Sequence, residues 1–194
     1  MTLLIKKIIC KWSNSGIIEK SDEDVYEYGL ELLLCTILNI AVILVSAGLV
    51  GKLPEGFALL AVTLPLQSCG GGYHAKTHLR CFLAMYIVWW FAFFILPFIT
   101  PVVATILSVL SMPIVFKLAP VSHVNVEMSE RQRLKMRKFV WILAIIVLFL
   151  SNTLIWGVSE RIGIAMSLGM GLTAISMVAA YFKNLYDKKR LKFI

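Results

Sequence analysis

Residues 29–50 read GLELLLCTILNIAVILVSAGLV, an apolar run broken by one carboxylate, Glu31. A bilayer core is about 30 Å thick and a helix of about 20 apolar residues crosses it, so this run has the length and character of a span. Further apolar blocks follow at about 57–67, 81–99, 102–116, 139–156 and 162–182. The block at 57–67 is short and needs its flanks to cross. Only 15% of the 194 residues are charged, 59% are hydrophobic, and the mean hydropathy is +0.85. A soluble domain carries about 25% charged residues, which this chain lacks for covering a water-facing surface. The expected fold is therefore an all-α polytopic membrane protein with six transmembrane helices and an N-terminal amphipathic interfacial helix. Its organisation is a single integral membrane domain over 1–194. Within it, 1–28 form a cytoplasmic and interfacial segment, 29–182 the six-span core, and 183–194 a basic cytoplasmic tail.

The breakers between blocks fit this division. Gly51, Pro54 and Gly56 mark a tight turn in GKLPEG, and Pro97 and Pro101 bracket another. No internal repeat, low-complexity linker or nucleotide-binding glycine pattern is present.

The net charge of +8 is distributed in the loops between spans. Six spans place every Lys and Arg except Lys52 and Arg161 on one side of the membrane. The positive-inside rule makes that side the cytoplasm and puts both termini there, in the cell membrane. This distribution argues against nucleic acid as a partner and for membrane lipids.

In MTLLIKKIICKWSN, Leu4, Ile5, Ile8, Ile9 and Trp12 share one helical face, and Lys6, Lys7 and Lys11 share the other. The expectation is a helix in the membrane interface with its lysines toward anionic headgroups. The alternative is an amphipathic helix packed on the protein. Lysines interrupt the apolar stretch and no small-residue cleavage site follows it, unlike a signal peptide.

Four cysteines, Cys10, Cys35, Cys69 and Cys81, form no CxxC pair and no disulfide framework. Cys10 and Cys35 lie in apolar surroundings and read as packing residues.

Against this background stands SCGGGYHAKTHLRC at 68–81. It lies between the second and third blocks, at the cytoplasmic mouth of the spans. A thiol becomes a nucleophile as its thiolate, which a cation, an imidazole or a helix N-terminus favours. Cys81 falls at the expected start of span three, where helix-end N–H groups attract negative charge. Arg80, His78 and His74 are near it in sequence. His78, three residues away, is a helical neighbour of Cys81. His74 is seven residues away, about 10.5 Å along a straight helix. It reaches the thiol only if the chain leaves regular helix, a departure that Gly71 and Gly72 make easy. On local geometry His78 is favoured. His74, His78 and Cys81 also have spacing compatible with three zinc ligands, although no carboxylate accompanies them. Glu31, near the cytoplasmic end of span one, is a costly residue at membrane depth. It is expected to orient a catalytic imidazole, to hold Arg80, or to reach the headgroups. Asn39, deeper in span one, is expected to bond another helix.

Together, YGLELLL at 28–34, GGGYHAKTHLRC at 70–81 and KLAPV at 117–121 before a basic loop resemble the accessory gene regulator B family. The similarity runs over nearly the whole chain. It implies a membrane-embedded cysteine endopeptidase that removes the C-terminal tail of a quorum-sensing pro-peptide. The family's catalytic histidine and cysteine fall on His74 and Cys81, which makes His78 and Cys69 bystanders. Some relatives carry an arginine shortly before the glycines, where this chain has Gln67 and Ser68. The implied partner is the precursor of an autoinducing peptide, and the implied assembly is a homodimer. No cofactor is implied. The resemblance further implies an acyl-enzyme thioester that a side chain of the precursor attacks to close a macrocycle. Backbone N–H groups near Cys81 are the expected oxyanion donors. The competing functional reading is a small membrane transporter or channel with a His/Cys metal-binding gate. A further one is a non-catalytic membrane partner that docks a soluble protein through the basic loop.

Overall fold

The computed structural model describes residues 2–73, 78–121 and 129–191, and these contain helices and no strand. Seven α-helices run in chain order: α1 Thr2–Asn14, α2 Glu23–Leu49, α3 Leu53–Gly70, α4 His78–Ile95, α5 Pro101–Leu118, α6 Glu130–Thr153 and α7 Glu160–Leu191. A 3₁₀ turn at Lys20–Asp22 precedes α2, another at Leu96–Phe98 follows α4, and a π-helical turn, Leu154–Val158, follows α6.

Among the described residues, five stretches are long and apolar enough to cross a membrane: Lys20–Leu49, Arg80–Phe98, Pro101–Leu118, Glu130–Val158 and Glu160–Asp187. The short second block of the sequence is α3, an 18-residue helix that starts four residues earlier and ends three later than expected. It stays outside the five because Glu55, Gln67, Pro54 and Pro65 dilute its apolar content. Its position explains why that is tolerated. Ala58, Leu59, Val62, Thr63, Leu66 and Gly70 are buried at helical spacing, so α3 meets protein along that face. Gly56, expected to break the chain, lies inside α3, where an added Cβ would sit 2.6 Å from that of Ala47 on α2. Here the missing side chain serves close approach of two helices.

The core is arranged around α7, which packs against α3, α5 and α6. In its most apolar window 67% of residues are buried, against 18–28% in the other four spans, so lipid-facing surface falls mainly on those. Small residues make this central position possible. At Gly169 a Cβ would lie 3.3 Å from the backbone oxygen of Leu59. Between α5 and α6, Asn152 Nδ2 donates to Ser108 Oγ at 3.3 Å, and Trp156 Nε1 donates to Thr105 Oγ1 at 3.3 Å. Among the described residues Asn39 makes no such bond to another helix, and the amide that joins two helices is Asn152. Two helix starts, those of α5 and α6, carry a side-chain cap. Thr100 Oγ1 accepts from the Val103 N–H, and Ser129 forms a reciprocal capping box with Gln132.

Two features depart from the expected plan. The apolar face of α1 is not left to lipid. Ile5 and Ile9 are 1% and 2% exposed, and with Ile18 they pack against Trp12, Leu30 and Leu34. Lys6 pairs with Glu27 of α2 at 3.7 Å. The packed alternative therefore accounts for Ile5 and Ile9, while Ile8 of the same face, Lys7 and Lys11 remain exposed. The second departure is the basic tail, which continues α7 as helix to Leu191. Lysine and arginine are good helix formers, so a charge run does not end a helix.

Candidate functional site

The glycine run terminates α3. Gly70 is its last residue, and Gly71 takes φ +77 and ψ 169 while its N–H still donates to Gln67 O at 2.9 Å. That backbone region is essentially restricted to glycine. Space adds a second restriction, because a Cβ on Gly71 would lie 2.3 Å from the carbonyl oxygen of Val121. Val121 in turn donates its N–H to Gly70 O at 2.9 Å. The KLAPV segment after α5 thus rests directly on the glycine turn.

The chain then passes α7. A Cβ on Gly72 would approach Ser176 Oγ at 2.9 Å and the Gln67 Cγ and Cδ at 3.7 and 3.8 Å. The Tyr73 N–H donates to Ser176 Oγ at 3.0 Å. Lys183 Nζ stands 5.1 Å over the Tyr73 ring, a cation–π contact. Residues 71–73 are therefore held out of helix by α3, by α7 and by the α5–α6 connection.

The chain is described again from His78, in helix, and Cys81 lies in the first turn of α4 as so bounded. Cys81 is half-buried and lines a cleft of about 220 Å³ between α3, α4 and α7. From Cys81 the α4 wall runs through Met85 and Val88 to Trp89, which is 3% exposed. Gln67 and Thr63 face it from α3, with Ser176 on α7 and Tyr73 at the turn. The cleft is predominantly apolar with a few polar groups near the thiol, as binding sites generally are.

Of the residues singled out in sequence, Gly71, Gly72 and Cys81 come together here. Arg80 is exposed on the same first turn of α4. Glu31 is half-buried on α2, the helix that packs on α4, and one turn before Cys35. His74 lies outside the described residues, as does His123, and His78 is described by its place at the start of α4. Among the described residues no three His, Cys, Asp or Glu side chains are grouped to hold a metal ion. The zinc set of His74, His78 and Cys81 falls partly outside them.

Sequence reading missed Ser176, Val121 and Lys183 as partners of the glycine turn. Ser176 is 103 positions from Tyr73, and no local spacing links them. The one local sign is a hydroxyl in the apolar run AISMVAAYF at 174–182.

No curated protein and no solved structure matches the chain. A family profile does: that of accessory gene regulator B matches residues 4–177. The match takes in α2 through most of α7, including the glycine turn, Cys81 and the Val121 segment that supports them. The chain belongs to the accessory gene regulator B family and so to accessory gene regulator peptide processing.

Proposed function

We propose that this protein is a membrane-embedded cysteine endopeptidase. In this reading it removes the C-terminal tail of a quorum-sensing pro-peptide and supports closure of the remaining peptide into a macrocycle. The observation that carries the reading is Cys81, half-buried in the first turn of α4 at a predominantly apolar cleft, in a chain of this family.

The mechanism follows from the groups around that thiol. His74 takes the proton of Cys81, and the glycine turn gives the intervening chain the freedom a straight helix denies. The thiolate attacks the carbonyl carbon of the scissile peptide bond and a tetrahedral oxyanion forms. As the C–N bond breaks, His74 returns the proton to the departing nitrogen, and a thioester to Cys81 remains. A side-chain nucleophile of the precursor then attacks this thioester and closes the ring. Water would compete for the same thioester, and the apolar walls of the cleft reduce its access. Glu31 orients the imidazole or holds Arg80 from the α2 side.

The proposed topology has six spans, with α3 as the sixth, enclosed crossing. Both termini and the Cys81 end then face the cytoplasm. The packing supports a common end for these parts. The α3–α4 turn, the end of α5 and the second half of α7 meet through Gly70, Val121, Tyr73 and Ser176. Far from them, Lys52 at the α2–α3 turn donates to the Phe93 carbonyl near the end of α4.

The test is co-expression in a bacterial host with a candidate precursor, a short open reading frame beside the gene. Tail cleavage is read by mass spectrometry. Cleavage by the wild-type chain and none by Cys81→Ser is the expected result. Intact cleavage by Cys81→Ser would end the protease reading.

A further inference from the structure

The attack on the scissile carbonyl creates a negative oxygen beside Cys81, and the residues that line the cleft restrict what can meet it. Thr63 has already committed its hydroxyl, which donates to Leu59 O at 2.9 Å. Ser176 Oγ accepts the Tyr73 N–H, and its own O–H remains able to donate from the α7 wall. The Tyr73 ring lies beneath Lys183 at the exposed mouth. Ala84, Met85, Val88, Trp89 and the α7 residues Leu172 and Ile175 supply apolar walls. Gln67 adds two amide N–H donors on the α3 side. It is half-buried, and its side-chain amide has no hydrogen-bond partner among the described residues. Its Cγ and Cδ stand over Gly72, where a Cβ would come within 3.7 and 3.8 Å of them. A planar amide with two N–H donors thus faces the cleft that also exposes the thiol, across from the α4 wall.

We propose that the side-chain amide of Gln67 is a catalytic donor, hydrogen-bonded to the substrate carbonyl oxygen while Cys81 attacks. The inference rests on the reading of Cys81 as nucleophile. In the addition step the C–S bond forms as the carbonyl π pair moves to oxygen, and the Gln67 N–H donates to that oxygen without losing its proton. In the collapse step the C=O bond re-forms and the C–N bond breaks. The nitrogen leaves with the proton that the base took from the thiol. Gln67 ends the cycle chemically unchanged. Gln67 on α3 supplies this donor from across the cleft, facing the α4 wall that carries Cys81.

The experiment separates acylation, which passes through the oxyanion, from alkylation, which does not. The full chain is placed in phospholipid vesicles and treated with p-nitrophenyl hexanoate or with iodoacetamide. Occupancy at Cys81 is followed by mass spectrometry, and p-nitrophenolate release by absorbance. In Gln67→Met, of similar length and without donors, acylation of Cys81 falls on the order of 100-fold, the usual cost of one lost oxyanion donor, while alkylation is unchanged. Gln67→Arg, which restores N–H donors, keeps acylation close to wild type. Gln67→Glu, with a carboxylate facing the oxyanion, loses it. Ser176→Ala retains the ratio of acylation to alkylation.

Acylation of Gln67→Met at the wild-type rate overturns the proposal, and so does an equal fall in both reactions. A loss confined to Ser176→Ala would move the donor role to that hydroxyl and overturn it as well. These outcomes leave the nucleophile standing. A wild-type protein whose Cys81 takes no acyl group, or whose Cys81→Ala variant releases p-nitrophenolate just as fast, brings down the protease reading itself.

Discussion

A methyl group on Gly71 is the sharpest test of how the site is held. The substitution Gly71→Ala meets two costs. The backbone at φ +77 and ψ 169 lies where side chains are disfavoured by about 1–3 kcal/mol. The new Cβ would also stand 2.3 Å from Val121 O, a backbone atom that cannot swing away. Relief requires the 119–121 segment to move, which gives up the Val121 N–H to Gly70 O bond, worth about 0.5–1.5 kcal/mol net. The sum is about 2–4 kcal/mol, concentrated at the turn into α4. Three other glycines dissect it. Gly51→Ala meets a positive φ of +66 with open space around it, which isolates the dihedral cost. Gly70→Ala meets Met177 Cε at 2.4 Å, the mobile end of a flexible side chain. Gly72→Ala meets Ser176 Oγ at 2.9 Å, another group able to rotate. The assay is the thermal midpoint in detergent, with the alkylation rate at Cys81 as a local reading. The expected order of damage is Gly71 first, then Gly51, with Gly70 and Gly72 mildest in stability. The midpoint for Gly71→Ala should fall by roughly 4–16 °C at 2–4 °C per kcal/mol. A Gly71→Ala protein that melts with Gly70→Ala and alkylates at the wild-type rate would refute the argument.

Other outcomes follow from the same contacts. His74→Ala should abolish precursor cleavage while His78→Ala retains it; the reverse pattern, read in the co-expression assay, would transfer the base role to His78. Ile9→Ala removes a side chain that is 2% exposed at the α1–α2 contact and should cost about 2–5 kcal/mol of local packing. Limited trypsin digestion should then cut faster at Lys11 and Lys20. Asn152 has a buried Oδ1 without a hydrogen-bond partner, and its amide nitrogen makes the bond to Ser108. Asn152→Leu loses that bond and the one to Leu148 O at 2.8 Å, and removes the orphan oxygen with them, so the thermal midpoint should stay within the shift of about 1 kcal/mol.

What could be read from the sequence follows from how each signal arises. Apolar blocks mark helices in contact with lipid, because the bilayer imposes both length and composition on any segment it surrounds. That is why α2, α4, α5 and α6 stood out. The enclosed helix α3 is relieved of this demand by its protein neighbours, and its ends at Leu53 and Gly70 were accordingly underestimated. Gly56 shows the same ambiguity at one residue, since a glycine reads equally as a breaker or as a site of helix contact. The division of α1 between lipid and α2 depends on Leu30 and Leu34, which carry no mark of that contact in a run of leucines. At the site, Cys81 and the glycines were visible because their chemistry is local. Ser176 and Val121 were not, because their roles come from the approach of α7 and the α5–α6 connection.

The bond from the Val121 N–H to Gly70 O has a practical consequence. It joins two connections that are far apart in sequence, so neither can open without the other being disturbed. A deuterium-exchange measurement at this single amide would therefore watch the glycine turn from outside it. Occupancy of the cleft by a peptide would register there as slower exchange, with no label attached near the thiol.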